Sequence, residues 1–280
     1  MRFASLGSGS EGNALVVESG STRVLLDCGF GLRETAVRLA QKRLMPEDIS
    51  AIVITHEHSD HLQGAVRFAR KYAIKLWMTY GTHRYLLAQH DELPAVELID
   101  SHSAFNIDAL HLQPFPVPHD AREPVQFVFS DGQSRLGILT DTGTITPHIA
   151  NQLDACDALV LECNHDAHTL QHSHYPASLK NRIAGQFGHL DNLTAASLLS
   201  RIDTSKLRHL IAAHLSQQNN TPELALTSLT AVLGCHPDWL DCASQQHGFD
   251  WRGRMVRRHA APAFRRSDGR CVQVRWVPYS

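Results

Sequence analysis

Apolar positions come first in short runs separated by glycine-rich turns: Arg2–Leu6, Ala14–Glu18 and Arg23–Asp27 read as strands. The spacing then changes. Leu32, Ala36, Val37, Leu39 and Ala40 recur at helical intervals, and Ala51–Thr55 returns to a buried strand. A second helix is predicted over Leu62–Tyr72, with Leu62, Val66 and Ala69 on one face. Strands follow at Ile74–Thr79, Val96–Ile99, Leu110–Phe115 and Val125–Phe129, the last leading into a Ser130-Asp131-Gly132 turn. Helices at Tyr175–Ile183, Leu193–Ile202 and Pro222–Leu233, a strand Leu207–Ala213 ending in His214, and a strand near Trp239–Ala243 complete the pattern.

Part of this pattern occurs twice. Arg23–Gly29, a helix and Ala51–His56 resemble Arg135–Gly143, a helix and Ala158–Glu162. Each half runs strand, Asp-x-Gly, helix, strand, polar cluster. A single repeat of this kind predicts two related β-rich halves packed together, with their polar strand ends at one edge. Asp27 and Asp141 then both face that edge.

Composition alters little. A chain of 280 residues, 43% hydrophobic and 19% charged, is that of a soluble globular protein with a sizeable core. The apolar runs are strand-sized, so no membrane span is expected, and the start shows no signal-peptide segment. Six cysteines without a C-x-x-C pair point to buried thiols in a reducing compartment, which predicts a cytoplasmic protein. The net charge of -2 is unevenly spread. Eight arginines between Arg252 and Arg275 face Asp268 alone, while the rest of the chain is acidic. That block is either a solvated face or a surface that attracts a polyanion.

The chemistry concentrates in Thr55-His56-Glu57-His58-Ser59-Asp60-His61, where a buried strand gives way to a helix. Imidazole and carboxylate are the ligands that zinc and similar divalent ions prefer. His56 and His58 can turn to one point, and Asp60 and His61 to another. Four ligands split in this way cannot close two sites. His119, Asp141, His214 and Asp27, at other strand ends, are the residue types still lacking.

On these residues the chain resembles the metallo-β-lactamase superfamily, whose T-H-x-H-x-D-H signature stands here as Thr55–His61, followed by a His, an Asp and a late His in the same order. The resemblance implies an α/β fold, a four-layer αββα sandwich with two divalent metals (zinc or manganese, or iron) at one edge. It assigns His56, His58 and His119 to one metal and Asp60, His61 and His214 to the other, with Asp141 bridging. Asp27 then orients a ligand through a hydrogen bond. Residues 1–250 are expected to form a single hydrolase domain, and 251–280 an arginine-rich segment packed on or continuing it.

Leu6–Asn13, Leu161–Asp166, Gly188–Asn192, His214–Asn220 and Ala243–Gln245 look like the YycJ/WalJ-type branch of that superfamily, single-domain nucleases related to ribonucleases Z and J. Asp191 stands where serine is expected. The branch implies 5′-exonuclease activity on DNA in preference to RNA. A metal-bridging hydroxide would attack in line, Asp60 would take the water's proton, and His189 would protonate the leaving oxygen. His189 can equally be a structural residue at the start of a helix. Ser8, Ser10 and Asn13 sit in a glycine-rich turn that either cradles an oxyanion or only turns the chain. Lys180, Arg182, Ser216, Asn219 and Asn220 are further candidates for phosphate binding. Of the loop cluster His165, His168, His172 and His174, only His165 fits the branch, and the rest read as a mobile rim.

Two other functions compete. The same scaffold can cleave a thioester, lactone or β-lactam. A non-catalytic nucleic-acid-binding module with a structural metal is disfavoured, because such a metal needs no second site.

Overall fold

The computed structural model describes residues 1–234 and 239–253, together with the backbone of two short strands, Arg265–Ser267 and Arg270–Val272. The side chains beyond Gly253, and with them most of the arginine-rich segment, lie outside the described residues.

Strands β1 (Arg2–Gly7), β2 (Ala14–Ser19), β3 (Thr22–Leu26), β4 (Ala51–Val53), β5 (Lys75–Thr79) and β6 (Val96–Ile99) belong to one sheet of seven. Strands β7 (Phe105–Ile107), β8 (Leu110–Pro116), β9 (Val125–Ser130), β10 (Arg135–Leu139), β11 (Ala158–Glu162), β12 (His209–Ala213) and β13 (Leu240–Cys242) form the other. The first sheet is completed at its edge by β14 (Phe249–Arg252), antiparallel to β1. The order is β14-β1-β2-β3-β4-β5-β6 in one and β7-β8-β9-β10-β11-β12-β13 in the other. In both, the first three pairings are antiparallel and the last three parallel. The repeat read from the sequence therefore extends over both sheets.

Helices α1 (Leu32–Gln41), α2 (Ser59–Leu62), α3 (Ala65–Tyr72) and α4 (Tyr80–Leu87) accompany the first sheet. Helices α5 (Pro147–Leu153), α6 (Ala167–His172), α7 (Ala177–Ile183), α8 (Asn192–Leu199) and α9 (Pro222–Leu233) accompany the second. Three apolar clusters separate the layers. Val24, Leu26, Phe127, Phe129, Ile138 and Val160 meet between the sheets. Leu25, Ile52 and Leu76 face outward onto Leu39 and Phe68 of the helices. Leu139, Leu159 and Leu161 likewise face Ile149, Leu198 and Leu229. Because the central strands are covered on both faces, they read as continuous apolar runs instead of alternating ones. This is the expected four-layer αββα sandwich.

Several elements differ from the sequence expectation. The helix predicted over Leu62–Tyr72 is two helices, broken at Gln63-Gly64. Gly64 N–H donates to Cys28 O at 2.8 Å, and a Cβ on Gly64 would lie 1.9 Å from Phe30 O. Only glycine fits that approach, and because its N–H goes to Cys28 O the helical ladder is interrupted there. His168 and His172, expected in a mobile loop, stand on α6. Helix α4 and the short edge strands β7 and β14 were not foreseen. Among the described residues no helix is long and apolar enough to cross a membrane.

Candidate metal centre

The C-terminal ends of the parallel strands in both sheets open onto one edge, and the polar residues of the sequence analysis gather there. After β4 the chain passes through Thr55 and His56 to His58, which precedes α2; Asp60 and His61 lie in that short helix. Asp27 follows β3, Asp141 follows β10 and His214 follows β12. All three adopt a left-handed backbone, with φ of 60°, 55° and 55°. Such a backbone is uncommon for a residue with a side chain, although Asp and His adopt it more readily than most, and here it turns each side chain sharply at its strand end.

Ligand atoms converge in three groups, each with its atoms within 4.8 Å of one another: His56, His58 and His119; Asp60, His61, Asp141 and His214; and Asp141, Glu162, His189 and His214. The first two contain the seven side chains anticipated from the sequence. Asp141 and His214 are shared by the second and third groups.

Hydrogen bonds on the far side of His56, His61 and His119 fix which nitrogen faces the centre. His119 Nδ1 donates to the carbonyl of Gly188 at 3.1 Å, which leaves Nε2 as the lone-pair nitrogen, 3.2 Å from His58 Nδ1. His61 Nδ1 donates to Asp27 Oδ2 at 2.8 Å. The Thr55 hydroxyl donates to Asp27 at 3.0 Å, so it accepts from His56 Nδ1, also at 3.0 Å. Asp27 thus governs two ligand rings, one directly and one through Thr55. Orientation of this kind holds the tautomer and raises the basicity of a metal-ligating histidine.

Glu162 has the corresponding task in the second half and was not singled out from the sequence. It is fully buried. Its Oε1 accepts from His189 Nδ1 at 2.7 Å and lies 3.2 Å from His214 Nδ1, while Oε2 accepts the backbone N–H groups of Thr142 and Leu190, both at 3.1 Å. A carboxylate so satisfied holds two imidazoles at once.

The charge distribution fits cations. Burial works to depress the His61 imidazole, but Asp141, Asp60 and Asp27 raise it well above its ordinary range. Burial is likewise outweighed at His214, which Asp141, Asp60 and Glu162 push up to about 10. Against burial, His61 and His214 hold the Asp60 carboxyl far below its usual range. His56 behaves differently: burial, reinforced by His61, depresses it. Its Nε2 is buried with no hydrogen-bond partner, and Asp141 Oδ2, buried and without a well-formed hydrogen bond, has only the His61 Nε2 contact at 3.3 Å. Buried polar atoms are almost always hydrogen-bonded, so two poorly satisfied ones in one cluster fit a divalent ion.

The other sequence candidates divide. His189 is one-fifth exposed and lines a cleft of about 320 Å³ with Gly143, His165, Leu170, Lys180 and Thr194. Glu162 raises its imidazole against the effect of burial. Lys180 reaches this cleft while donating to Gln171 O at 2.8 Å. Arg182 pairs with Asp120 at 2.6 Å, beside His119. The glycine-rich turn is internally committed: Ser8 Oγ accepts from His214 N at 2.9 Å, and Asn13 Nδ2 lies 3.1 Å from Asp60 Oδ2. Ser10 is exposed. Ser216 Oγ accepts from Asn219 N, and Asn220 bonds Cys163 O and Asn192. Ser8, Asn13, Ser216 and Asn220 therefore brace the loops around the site. Asp191, where serine was expected, caps α8 by accepting from Leu193 N and Thr194 N, a task either residue type performs. The described cysteines are free, and burial pushes the Cys28 thiol up to about 12, so it holds no reactive thiolate.

Comparison with known proteins places this geometry. The sequence matches the Beta-lactamase superfamily domain over residues 22–215. It is 33% identical over 235 residues to a Bacillus anthracis protein named exodeoxyribonuclease YycJ, spanning 83% of this chain and 89% of that one. With the Streptococcus pneumoniae protein named exodeoxyribonuclease WalJ it shares 32% over 231 residues, 80% of this chain and 85% of that one. In structure it resembles the metallo-beta-lactamase fold protein YhfI of Bacillus subtilis, with a TM-score of 0.68 at 14% identity over 89% of this chain and 97% of that one. The family match and these two relatives show that the chain belongs to the beta-lactamase superfamily, in the same branch as YycJ and WalJ.

Proposed function

We propose that the chain is a metal-dependent phosphodiesterase that degrades DNA from the 5′ end in the cytoplasm. The observation that carries this reading is the convergence of seven ligand side chains from both halves, in a protein related over most of its length to proteins named exodeoxyribonucleases. His56, His58 and His119 would hold one divalent ion and Asp60, His61 and His214 a second, with Asp141 between them. Zinc and manganese both suit this donor set. When bound, such ions neutralise charge on a phosphodiester and make water acidic enough to attack at neutral pH.

The remaining roles belong to the chain's own groups. Asp60 is ionised beside His61 and His214; once those imidazoles are neutral ligands it would take the proton that the attacking water loses. His189, whose imidazole Glu162 raises through the Nδ1 hydrogen bond, would present Nε2 to the cleft and donate to the departing oxygen. Asp27 and Glu162 keep the imidazoles aligned, which holds the catalytic geometry before substrate arrives.

The test is a DNA strand labelled at the 5′ end in one sample and at the 3′ end in another, incubated with manganese or zinc beside a His58→Ala control. The expected result is early release of the 5′ label as a mononucleotide, a gradually shortening 3′-labelled strand, and neither with the control. Turnover of a thioester or lactone with both DNAs intact would contradict the proposal.

A further inference from the structure

We propose that Phe187 is a stacking platform for one base of the DNA strand entering the metal centre; the proposal rests on the exonuclease reading above. Phe187 is 60% exposed, two residues before His189, which lines the cleft beside the metal centre. Its backbone is nonetheless held from several sides. Phe187 O accepts from Asp120 N at 3.1 Å, and the next carbonyl, Gly188 O, accepts from His119 Nδ1 at 3.1 Å. Gln186 O accepts from Thr144 Oγ1 at 3.0 Å, and His189 N–H closes back onto Ile183 O at 2.8 Å. A Cβ on Gly188 would come within 2.2 Å of both Arg182 O and Ile183 O, so the tight closure requires glycine there. The ring thus projects from an immobilised loop. It stands one residue before the carbonyl that orients His119 and two before His189.

A phenyl ring offers no hydrogen bond, so it favours a ligand with a flat apolar face. Every nucleobase has one, whatever its sequence, and single-stranded nucleic acid is commonly held by aromatic stacking beside cationic side chains. Those cations are present. Arg182, ion-paired with Asp120, and Arg122, whose N–H bonds Glu57, both leave 61% of their side chains exposed on this rim. Their guanidinium groups can meet the phosphates on either side of the stacked base. The arrangement predicts a contact that tolerates any base and registers the strand relative to His119 and His189.

The experiment measures cleavage of oligonucleotides that are either intact or abasic at one of the first few positions from the 5′ end. The enzymes are the metal-loaded wild type, Phe187→Ala and Phe187→Trp, with bound metal and melting temperature measured for each. Phe187→Ala is expected to raise KM for intact DNA by about fivefold to a hundredfold. Wild type should lose a similar factor at one abasic position, Phe187→Ala should lose nothing more there, and Phe187→Trp should restore the loss. The platform is contradicted if Phe187→Ala cleaves intact DNA like wild type, or if it weakens intact and abasic DNA equally at every position. Failure of the wild type to cut any DNA would instead remove the exonuclease reading itself.

Discussion

The fourth strand of each sheet, counted from its antiparallel edge, leads to an aspartate with the same left-handed backbone and a different task. Asp27 closes β3 with φ 60° and turns away from the centre to hold His61 and Thr55. Asp141 follows β10 with φ 55° and points Oδ2 into the candidate ligands, 3.3 Å from His61 Nε2. In the second half the orienting task has moved to Glu162, at the end of β11, which serves His189 and His214. Topology repeats between the halves, but the chemistry does not. The fold fixes where a strand-end side chain emerges, and the residue types then divide the work into binding and orienting. The first half contributes a ligand-dense local loop. The second contributes single residues from distant strands and the only imidazole that opens onto the cleft with a carboxylate behind it, among the described residues.

The largest expected effect comes from breaking the asymmetry between the two aspartates. Asp141→Ala should abolish measurable DNA cleavage and lower the bound metal, as read by elemental analysis of dialysed protein. Asp27→Asn should retain metal and cost about 10–100-fold in affinity or activity. Equal losses from the two changes would erase the distinction between ligand and orienter.

Glu162→Gln separates the two orienting carboxylates. It should also cost about 10–100-fold, and in addition move the alkaline limb of the kcat profile to lower pH. The sign follows from the charges: burial depresses His189, Glu162 raises it, and a neutral amide removes the raising influence, so the acid form of His189 disappears at lower pH. Asp27→Asn should leave that limb in place, because Asp27 contacts His61 and Thr55 and not His189.

Metal binding itself should release protons near neutrality. His61 and His214 are protonated in the metal-free centre because carboxylates surround them, and a ligand nitrogen must give up its proton. Apparent affinity should therefore fall as pH falls. Calorimetry in buffers of different ionisation enthalpy should show protons released at pH 7, whereas buffer-independent heats would contradict the protonated apo centre. The smallest effect is expected for Thr55→Val. It removes the hydroxyl between His56 and Asp27 but leaves the Thr55 N–H bond to Asp27 at 2.9 Å. A stability loss of about 1–3 kcal/mol in chemical unfolding, with metal affinity changed less than in Asp27→Asn, is the expected outcome.

These contrasts also show how far the sequence could be read. Thr55–His61 was legible because its ligands are neighbours in the chain and the apolar run before them fixes a strand end. Asp27 and Asp141 were legible because the repeat aligned them. Glu162 was not, since a single acid closing an apolar strand announces nothing, and its partners lie 27 and 52 residues away. The serines and asparagines of the loops were legible as residue types but not as roles. Ser8 and Asn13 turned out to face His214 N and Asp60, contacts between segments remote in sequence. Helix α4 and strand β14 were missed because each is short and takes its stability from packing at a sheet edge more than from its own pattern.

The most direct test of the account is a crystal grown with manganese or zinc and measured at that metal's absorption edge. The account predicts two anomalous peaks, one bounded by His56, His58 and His119, the other by Asp60, His61 and His214, with Asp141 reaching both. A single peak, or an Asp141 carboxylate turned away from the metals, would contradict it.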